Sequence, residues 1–311
     1  MSDGRRPPEH AEAHDHRHSH SHAHGRDAGT RALSVTLGAN AVLLVAQVAV
    51  GVLAGSLAVI ADAVHQGTDV AALGLALGAR WLAGRPARGS FTYGYRPAEV
   101  VAAAVNAALL GVASVWVLWE AVQRMGEPAD IEGWWVVAIG LVGLAVNGGS
   151  AVLLARRSGD SLNLRAAGWH LATDAAGSAA VVVVGAVALG GDGSLAGGLD
   201  TAASIGIAVL ALVAAVQLAR RAGRGLLQAA PPGFEPAAVE AAVLAHPEVD
   251  AVHHLHLWTI GDGEVAMSGH VVVGEDLTLH EAREVIDELD TTLATMGVSH
   301  ATLQIECHPC D

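Results

Sequence analysis

Six long apolar runs, separated by short polar connections, follow Arg31 and fill most of the chain. The runs cover approximately residues 32–54, 57–80, 98–122, 134–155, 164–189 and 199–219. Because an α-helix needs about 20 mainly apolar residues to cross a bilayer, this pattern predicts six transmembrane helices. Only Gly55 and Ser56 separate the first two runs, which predicts a tight helical hairpin.

Arginine residues are distributed unequally between the connections. The connections after the second, fourth and sixth runs contain ten arginines, whereas those on the opposite side contain only Arg124. The ten are Arg80, Arg85, Arg88, Arg96, Arg156, Arg157, Arg165, Arg220, Arg221 and Arg224. Since cytoplasmic loops are enriched in Arg and Lys, both termini are predicted to be cytoplasmic, in a cell (inner or plasma) membrane. The connection between the fifth and sixth runs is predicted to hold Asp192 and Asp200.

The pattern changes beyond Pro231-Pro232-Gly233. Helical and alternating patterns then predict the order α-β-β-α-β. The predicted elements are a helix at Glu235–Ala245, strands at Val249–Ile260 and Glu264–Val273, a helix at Leu279–Met296 and a strand at His300–Cys307. Gly261-Asp262-Gly263 is typical of a hairpin turn. We expect a small three-stranded sheet covered by two helices, as in ferredoxin-like or metallochaperone-like α+β domains.

Composition supports a membrane domain joined to a soluble one. Of the 311 residues, 52% are hydrophobic and 15% are charged, compared with about 25% charged residues in a typical soluble domain. The net charge of −14 argues against a nucleic-acid partner, because phosphates are bound by basic surfaces. We divide the chain into a polar tail at 1–30, a six-helix transmembrane domain at 31–224 and the α+β domain at 233–311.

The polar tail is rich in histidine. Its seven histidines are His10, His14, His16, His18, His20, His22 and His24. This composition cannot form an apolar core, so the tail is predicted to be disordered and to collect metal ions loosely. The alternatives are a neutral solubilising tail or an expression tag, and the interrupted spacing of the histidines disfavours a tag.

The sequence His-x-x-Thr-Asp occurs in the second apolar run and again in the fifth. One copy contains His65 and Asp69, and the other contains His170 and Asp174. A spacing of four places each pair on one helix face, so two facing helices offer two imidazoles and two carboxylates, which suit Zn²⁺. Ionisable side chains within a bilayer are costly and usually functional. The alternative, a hydrogen-bonded pair that only holds helices together, is disfavoured by the second copy.

Other polar residues also lie within the apolar runs. Asp62, three residues before His65, lies on nearly the same helix face and is predicted to orient a metal ligand or to relay protons. Asn40, Asn106 and Asn147 are predicted to form hydrogen bonds between helices, which is the commoner role of such amides.

The C-terminal domain is rich in residues that bind metals. In its first strand, alternation predicts that His254, His256 and Trp258 share one face, and that His253, Leu255 and Leu257 share the other. The chain ends with Cys307-His308-Pro309-Cys310, whose thiolates and imidazole favour Zn²⁺ or Cu(I). The two cysteines, on the side predicted to be cytosolic, favour metal or redox chemistry over a structural disulfide.

Together these features resemble the cation diffusion facilitator family, in its zinc-transporter branch. The resemblance rests on six spans with both ends cytoplasmic and on the His-x-x-x-Asp pairs of the second and fifth spans. Three further segments carry it, namely Ser56-Leu-Ala-Val-Ile-Ala-Asp-Ala-Val-His65, Phe91-Thr-Tyr-Gly-Tyr-Arg-Pro-Ala-Glu99 and Val252-His-His-Leu-His-Leu-Trp258. It covers approximately residues 30–310.

The resemblance implies a homodimer with paired cytoplasmic domains that exports a divalent cation, most favourably zinc, in exchange for protons by alternating access. The implied transport ligands are His65, Asp69, His170 and Asp174. The implied cytoplasmic ligands, for a structural or regulatory zinc ion, are His253, His270 and Glu306, to which Cys307, His308 and Cys310 are expected to add. His254 stands where the family more usually has an acidic residue, so its role is open.

Imidazole and carboxylate groups bind a metal only when deprotonated, so protons and metal compete for the same atoms. An inward proton gradient can therefore drive export. A chain without lysine has no Walker A sequence, so ATP coupling is not expected. A metalloprotease needs His-Glu-x-x-His, which neither His65 nor His170 begins, and we do not expect an enzyme. A membrane-bound metal sensor that transports nothing is the remaining alternative.

Overall fold

The computed structural model describes residue 38 and residues 40–126, 130–157, 162–261 and 264–308. The helices of these residues are α1 (Asn40–Leu53), α2 (Leu57–Ala83), α3 (Ala98–Gln123), α4 (Gly133–Arg157), α5 (Leu162–Leu189), α6 (Gly193–Leu226), α7 (Pro236–Leu244) and α8 (Leu279–Thr295). The strands are β1 (Val249–Gly261), β2 (Glu264–Val273) and β3 (Val298–Glu306). The predicted tail at 1–30, residues 262–263 of the predicted hairpin turn, and Cys310 lie outside the described residues.

Local backbone geometry determines where two of the apolar helices begin. Gly55, between α1 and α2, has φ of +71°, a conformation that favours glycine. The Oγ of Ser56 then accepts a hydrogen bond from the backbone N–H of Val59 at 3.2 Å, as an N-cap. The predicted hairpin at Gly55-Ser56 is therefore present. At the start of α6, Asp192 accepts a hydrogen bond from the N–H of Leu195 at 3.0 Å in the same role.

Helices α4 and α5 pack backbone against backbone. A Cβ atom added at Gly133 would lie 2.6 Å from the carbonyl oxygen of Gly185, and one added at Gly185 would lie 2.7 Å from the backbone nitrogen of Val137. Glycine at these positions lets the helices approach closely, as is common where apolar helices pack in a membrane. Near the start of α2, buried apolar residues of α1, α2, α4, α5 and α6 form one cluster, which includes Leu43 and Val184.

Four helices are long and apolar enough to cross a membrane by length and composition. They are Ala98–Gln123, Gly133–Val152, Trp169–Leu189 and Gly193–Leu226. Helix α1 is shorter over its described residues. Helix α2 has 27 residues, but Asp62, His65 and Asp69 lower its mean hydropathy. The predicted helical transmembrane domain is confirmed, and the number of six spans stays a prediction.

The sixth apolar run was predicted too short. Helix α6 extends from Gly193 to Leu226, whereas the apolar run covers only 199–219. Asp192 caps the helix earlier, and the arginines that follow the run continue the helix at its other end. Asp200 was assigned to the connection although it lies at the first positions of the apolar run, and in the structure it lies inside α6. The apolar run therefore identified the middle of α6 but not its ends.

The C-terminal domain has the predicted order α-β-β-α-β. The sheet order is β1-β2-β3, with β1 and β2 antiparallel and β2 and β3 parallel. Val239 of α7, Met267 of β2 and Leu289 of α8 are buried in one apolar core between the sheet and the helices. The predicted three-stranded α+β domain is confirmed, although β3 begins at Val298, two residues before the predicted start.

The C-terminal domain contacts the connection between α2 and α3. Arg96 of this connection forms an ion pair with Glu264 at the start of β2. At the end of β1, a Cβ atom added at Gly261 would lie 2.9 Å from the Cβ of Arg96. The end of the helical bundle that contains the last turn of α2 therefore faces the C-terminal domain, and the start of α2 lies at the opposite end.

Candidate metal sites

The two His-x-x-Thr-Asp segments have the same local structure in α2 and α5. In each segment the threonine hydroxyl donates a hydrogen bond to the carbonyl oxygen of the histidine three residues earlier, at 2.6 Å for Thr68 and at 2.6 Å for Thr173. Such bonds satisfy the hydroxyl within its own helix. The histidine and aspartate side chains are left to face the neighbouring helix.

The histidine of each segment pairs with the aspartate of the other. The Nε2 atom of His65 lies 3.3 Å from Oδ1 of Asp174, and the Nε2 atom of His170 lies 3.5 Å from Oδ2 of Asp69. Within α5, the same His170 nitrogen lies 3.7 Å from Oδ2 of Asp174. The structure thus brings together all four residues that the sequence selected, and the pairs cross between α2 and α5.

The spacing of these atoms is compatible with one shared ion. Ligand atoms of His65, His170 and Asp174 all lie within 4.8 Å of one another. In a tetrahedral zinc site with bonds of about 2.0–2.2 Å, ligand atoms lie about 3.3–3.6 Å apart. The two cross-helix distances of 3.3 and 3.5 Å fall in this range. Asp69 is not among the three residues whose ligand atoms converge, and it joins the cluster through its pair with His170.

A cavity of about 740 Å³ between α2, α3, α5 and α6 contains this cluster. It is lined by the four clustered residues and also by Asp62, Asn106, Thr173 and Gln217. Leu218 and Arg221 line its far part, near the end of α6 that leads to the C-terminal domain. The cluster is therefore connected to the side of the bundle that faces this domain.

Asp62 lies in the same cavity and is 7% exposed. Its Oδ2 atom accepts hydrogen bonds from Nε2 of Gln47 at 2.7 Å and from Oγ of Ser178 at 3.4 Å. The carboxylate thereby links α1, α2 and α5. The sequence interpretation missed Gln47 and Ser178. A glutamine within an apolar run, such as Gln47, is a signal that the sequence does contain. The predicted role of Asp62 as an orienting or proton-relay group stays a prediction.

Asp200 joins α6 to the start of α2 at the opposite end of the bundle. Its carboxylate accepts hydrogen bonds from Oγ of Ser56 at 2.6 Å and from the backbone N–H groups of Leu57 at 2.8 Å and Ala58 at 3.1 Å. We call this group of four residues the Asp200 clasp. It caps the first turn of α2 with a side chain from α6, so the two helices are held together away from the C-terminal domain.

A second cluster lies on the sheet of the C-terminal domain. The β1–β2 register places His253 opposite His270, and the β2–β3 register places Val272 beside Glu306. His253 Nε2 lies 2.9 Å from one carboxylate oxygen of Glu306, and His270 Nδ1 lies 2.8 Å from the other. The three residues that the family resemblance implied as cytoplasmic ligands are therefore adjacent.

His254 belongs to this second cluster, contrary to the strand alternation that separated it from His253. It has φ of +51°, and the β1–β2 register shifts between His253 and His256. This bulge turns His254 so that its ring lies 5.1 Å from each of the rings of His253 and His270. Ligand atoms of the three histidines lie within 4.8 Å of one another. The prediction failed because alternation assumes an unbroken strand.

Cys307 and His308 follow β3 and are exposed. Their expected contribution to the second cluster stays a prediction, and that of Cys310 lies outside the described residues. Three imidazoles and a carboxylate form a nitrogen-rich donor set that suits first-row divalent ions such as Zn²⁺. The two clusters thus lie in different domains and have different donor sets.

Comparisons with known proteins agree with this architecture. Residues 33–227 match the family model of the cation efflux transmembrane domain, and residues 231–308 match that of the cation efflux protein cytoplasmic domain. The chain is 34% identical over 282 residues to the metal cation efflux system protein CzcD of Cupriavidus metallidurans, covering 90% of this chain and 88% of the relative. It is 34% identical over 287 residues to the zinc transporter ZitB of Escherichia coli, covering 91% and 90%.

A third relative is the cadmium, cobalt and zinc/H(+)-K(+) antiporter of Bacillus velezensis. It is 30% identical over 262 residues, and the match covers 82% of each chain. These matches span both domains, and they confirm the resemblance noted from the two histidine–aspartate segments. The chain belongs to the cation efflux (cation diffusion facilitator) family of membrane proteins.

Proposed function

We propose that this metal cation efflux protein carries zinc out of the cytosol in exchange for protons, and that His65, Asp69, His170 and Asp174 bind the transported ion. One observation carries the proposal, namely the cross-helix pairing of these four side chains inside a cavity between apolar helices. The names of the relatives, which include zinc, cadmium and cobalt transporters, support a divalent substrate.

The pairing also suggests how protons are coupled to the metal. Each imidazole is adjacent to a carboxylate of the other helix, so a proton shared by the pair and a bound metal ion would occupy the same atoms. Zinc must displace such protons to bind, and protons must displace zinc to release it. A proton gradient directed into the cell then drives the ion outward. The H(+) in the name of the Bacillus relative supports this coupling.

We further propose a homodimer in the cell membrane with both termini cytoplasmic, divided as residues 1–30, 31–224 and 233–311. The cytoplasmic cluster of His253, His270 and Glu306 is proposed to hold a structural or regulatory zinc ion, with Cys307, His308 and Cys310 as further candidate ligands. The donor atoms of His253, His270 and Glu306 lie next to one another within the C-terminal domain, independently of the transmembrane cluster. In this proposal the protein binds the ion and transports it without changing it chemically, so we propose no enzymatic activity.

A second candidate function is metal sensing without transport. The cytoplasmic cluster favours it, because a sensor needs only a metal site in a soluble domain. A sensor has no need of a second metal site inside the membrane, however, and the cavity that contains the four transmembrane residues therefore favours transport.

Proteoliposome flux distinguishes the two functions. Purified protein is reconstituted into sealed vesicles with a zinc-sensitive dye inside, and a pH gradient is imposed. We expect zinc flux from the wild type, no flux from Asp69→Ala or Asp174→Ala, and unchanged flux from Asp130→Ala, an exposed aspartate outside the cavity. Both site variants should remain folded and dimeric by size-exclusion chromatography with light scattering.

Two outcomes would contradict the proposal. Wild-type protein that binds zinc but moves none across the sealed bilayer would favour the sensor. Full flux from either site variant would show that the ion binds elsewhere.

A further inference from the structure

Asn106 of α3 is a polar residue of the transmembrane cavity whose chemistry the proposed ligand set leaves unexplained. It lies about two turns into α3 and lines the same cavity as His65, Asp69, His170 and Asp174. The four proposed ligands come from α2 and α5, whereas Asn106 comes from α3. It therefore lines the cavity from a third helix.

The amide oxygen of Asn106 is buried, and among the described residues it has no hydrogen-bond partner. Burying a polar atom without a partner costs free energy, so such atoms are uncommon and usually have a specific reason. The sequence predicted an interhelical hydrogen bond for Asn106, and the structure shows none to this oxygen within the described residues. The Nδ1 atom of His65 in the same cavity is also buried without a partner.

Because Asn106 lines the cavity, rotation of its amide group about the last side-chain bond would present this oxygen to a partner that enters the cavity from outside the chain. The cavity of about 740 Å³ is much larger than a bare metal ion, so an entering ion can retain part of its water shell. An amide oxygen is a good acceptor for the strongly polarised O–H groups of metal-bound water. A hydrogen bond of this kind would satisfy the Asn106 oxygen and would hold the ion from the α3 side.

We propose that Asn106 is a specificity-determining residue of the transport site, whose amide oxygen accepts a hydrogen bond from a water molecule retained by the bound divalent cation. The inference rests on the proposed function, because it assigns the substrate as a partly hydrated divalent ion at that site. This contact should affect which metal is transported. Ions that prefer six ligands and retain water, such as Co²⁺, depend on the contact with Asn106 more than Zn²⁺, which is readily held by four protein ligands.

The test compares three variants of the full-length protein in zinc and cobalt flux. Asn106→Leu keeps a similar side-chain volume and removes the oxygen, and Asn106→Asp keeps an oxygen. Ser114→Ala is the matched control, since Ser114 is a polar residue of α3 whose hydroxyl donates to the backbone of Leu110 at 2.7 Å. Equilibrium binding of both metals, measured by calorimetry in a His253→Ala/His270→Ala background that removes the cytoplasmic cluster, separates binding at the transport site from movement.

We expect Asn106→Leu to raise KM for zinc about tenfold, the usual loss for one hydrogen bond to a charged group, with kcat nearly unchanged. KM for cobalt should rise by a larger factor, so that the zinc-to-cobalt preference increases. Asn106→Asp should keep KM for zinc close to that of the wild type, as should Ser114→Ala. The dissociation constants from calorimetry should change in parallel with KM.

The proposal is overturned if Asn106→Leu keeps the KM values and the zinc-to-cobalt preference of the wild type. It is equally overturned if the variant loses only kcat while its metal affinity is unchanged, since that result indicates a structural role. A failure of the proposed function would look different, because the wild type itself would then show no flux.

Discussion

Replacing Asp200 by alanine is the sharpest test of how the helical bundle is held together. In the Asp200 clasp one carboxylate of α6, 2% exposed, accepts three hydrogen bonds from the start of α2. Two of its donors are backbone N–H groups of the first helical turn, which have no partner within their own helix. The clasp is thus a helix cap supplied by a different helix.

The expected cost follows from these three bonds. Leaving a buried N–H without an acceptor costs about 1–3 kcal/mol, and Asp200→Ala leaves those of Leu57 and Ala58 in this state. The Ser56 hydroxyl can rotate to another acceptor and contributes less. Removing the carboxylate also removes the cost of burying its charge, which offsets part of the loss. We expect a net loss of about 3 kcal/mol, which lowers Tm by on the order of 10 °C for a domain of this size.

Thermal unfolding of the purified protein in detergent, followed by tryptophan fluorescence, measures this effect. Asp192→Ala is the matched control, because Asp192 caps α6 with one exposed hydrogen bond whose loss should cost about 1 kcal/mol or less. Equal Tm values for Asp200→Ala and Asp192→Ala would refute the reasoning, since they would mean that the three buried bonds contribute no more than one exposed bond.

Three further predictions concern the tail and the cytoplasmic domain. Deletion of residues 1–29 should raise the apparent KM for zinc in proteoliposome flux without stopping transport, and complete loss of flux would contradict its role as a loose collector. His254→Ala should weaken zinc binding by the cytoplasmic cluster about tenfold or more. Calorimetry on a variant that lacks the transport site measures this affinity. His256 is exposed on the same strand, and His256→Ala should leave the affinity unchanged. Hydrogen bonds from the hydroxyl and backbone N–H of Thr278 lower the pKa of Glu281. The resulting stabilisation of α8 is present above the ordinary glutamate pKa and is lost as the pH falls through the lowered value. In NMR titration, Thr278→Ala should raise the pKa of Glu281, and an unchanged pKa would contradict this capping.

The apolar pattern predicted the helices well because a membrane helix must be apolar along nearly its whole length. Caps lie outside that pattern, and they determine where a helix begins. Asp192 therefore starts α6 before the apolar run. Asp200, at the edge of that run and assigned to the connection, is buried within α6. Hydropathy alone treats an aspartate near a run boundary as a loop residue, and only the three-dimensional partner at the start of α2 reveals its role.

The two candidate metal clusters differ in how far the sequence could predict them. The spacing of four in α2 and α5 placed the histidine and the aspartate of each segment on one helix face, since this follows from helical geometry, and the structure brings the two faces together. Which histidine pairs with which aspartate depends on how the two helices face each other, so the crossed pairing of His65 with Asp174 was not predictable. His254 depended on a bulge with positive φ, and strand alternation contains no signal for it.

The clasp and the cavity together give the proposed alternating access a specific physical requirement. The cavity extends toward the C-terminal domain, while the clasp joins α2 to α6 at the opposite end, so release of a transported ion at that end would require the clasp to break. Weakening it should therefore populate the outward-open form. In a cysteine-free background, Ala203→Cys, at the part of the cavity nearest the clasp along α6, should react with an impermeant maleimide from outside at least about tenfold faster when Asp200→Ala is added. If the labelling rate does not change, the ion leaves by a movement that keeps the clasp intact, and the bundle opens between other helices.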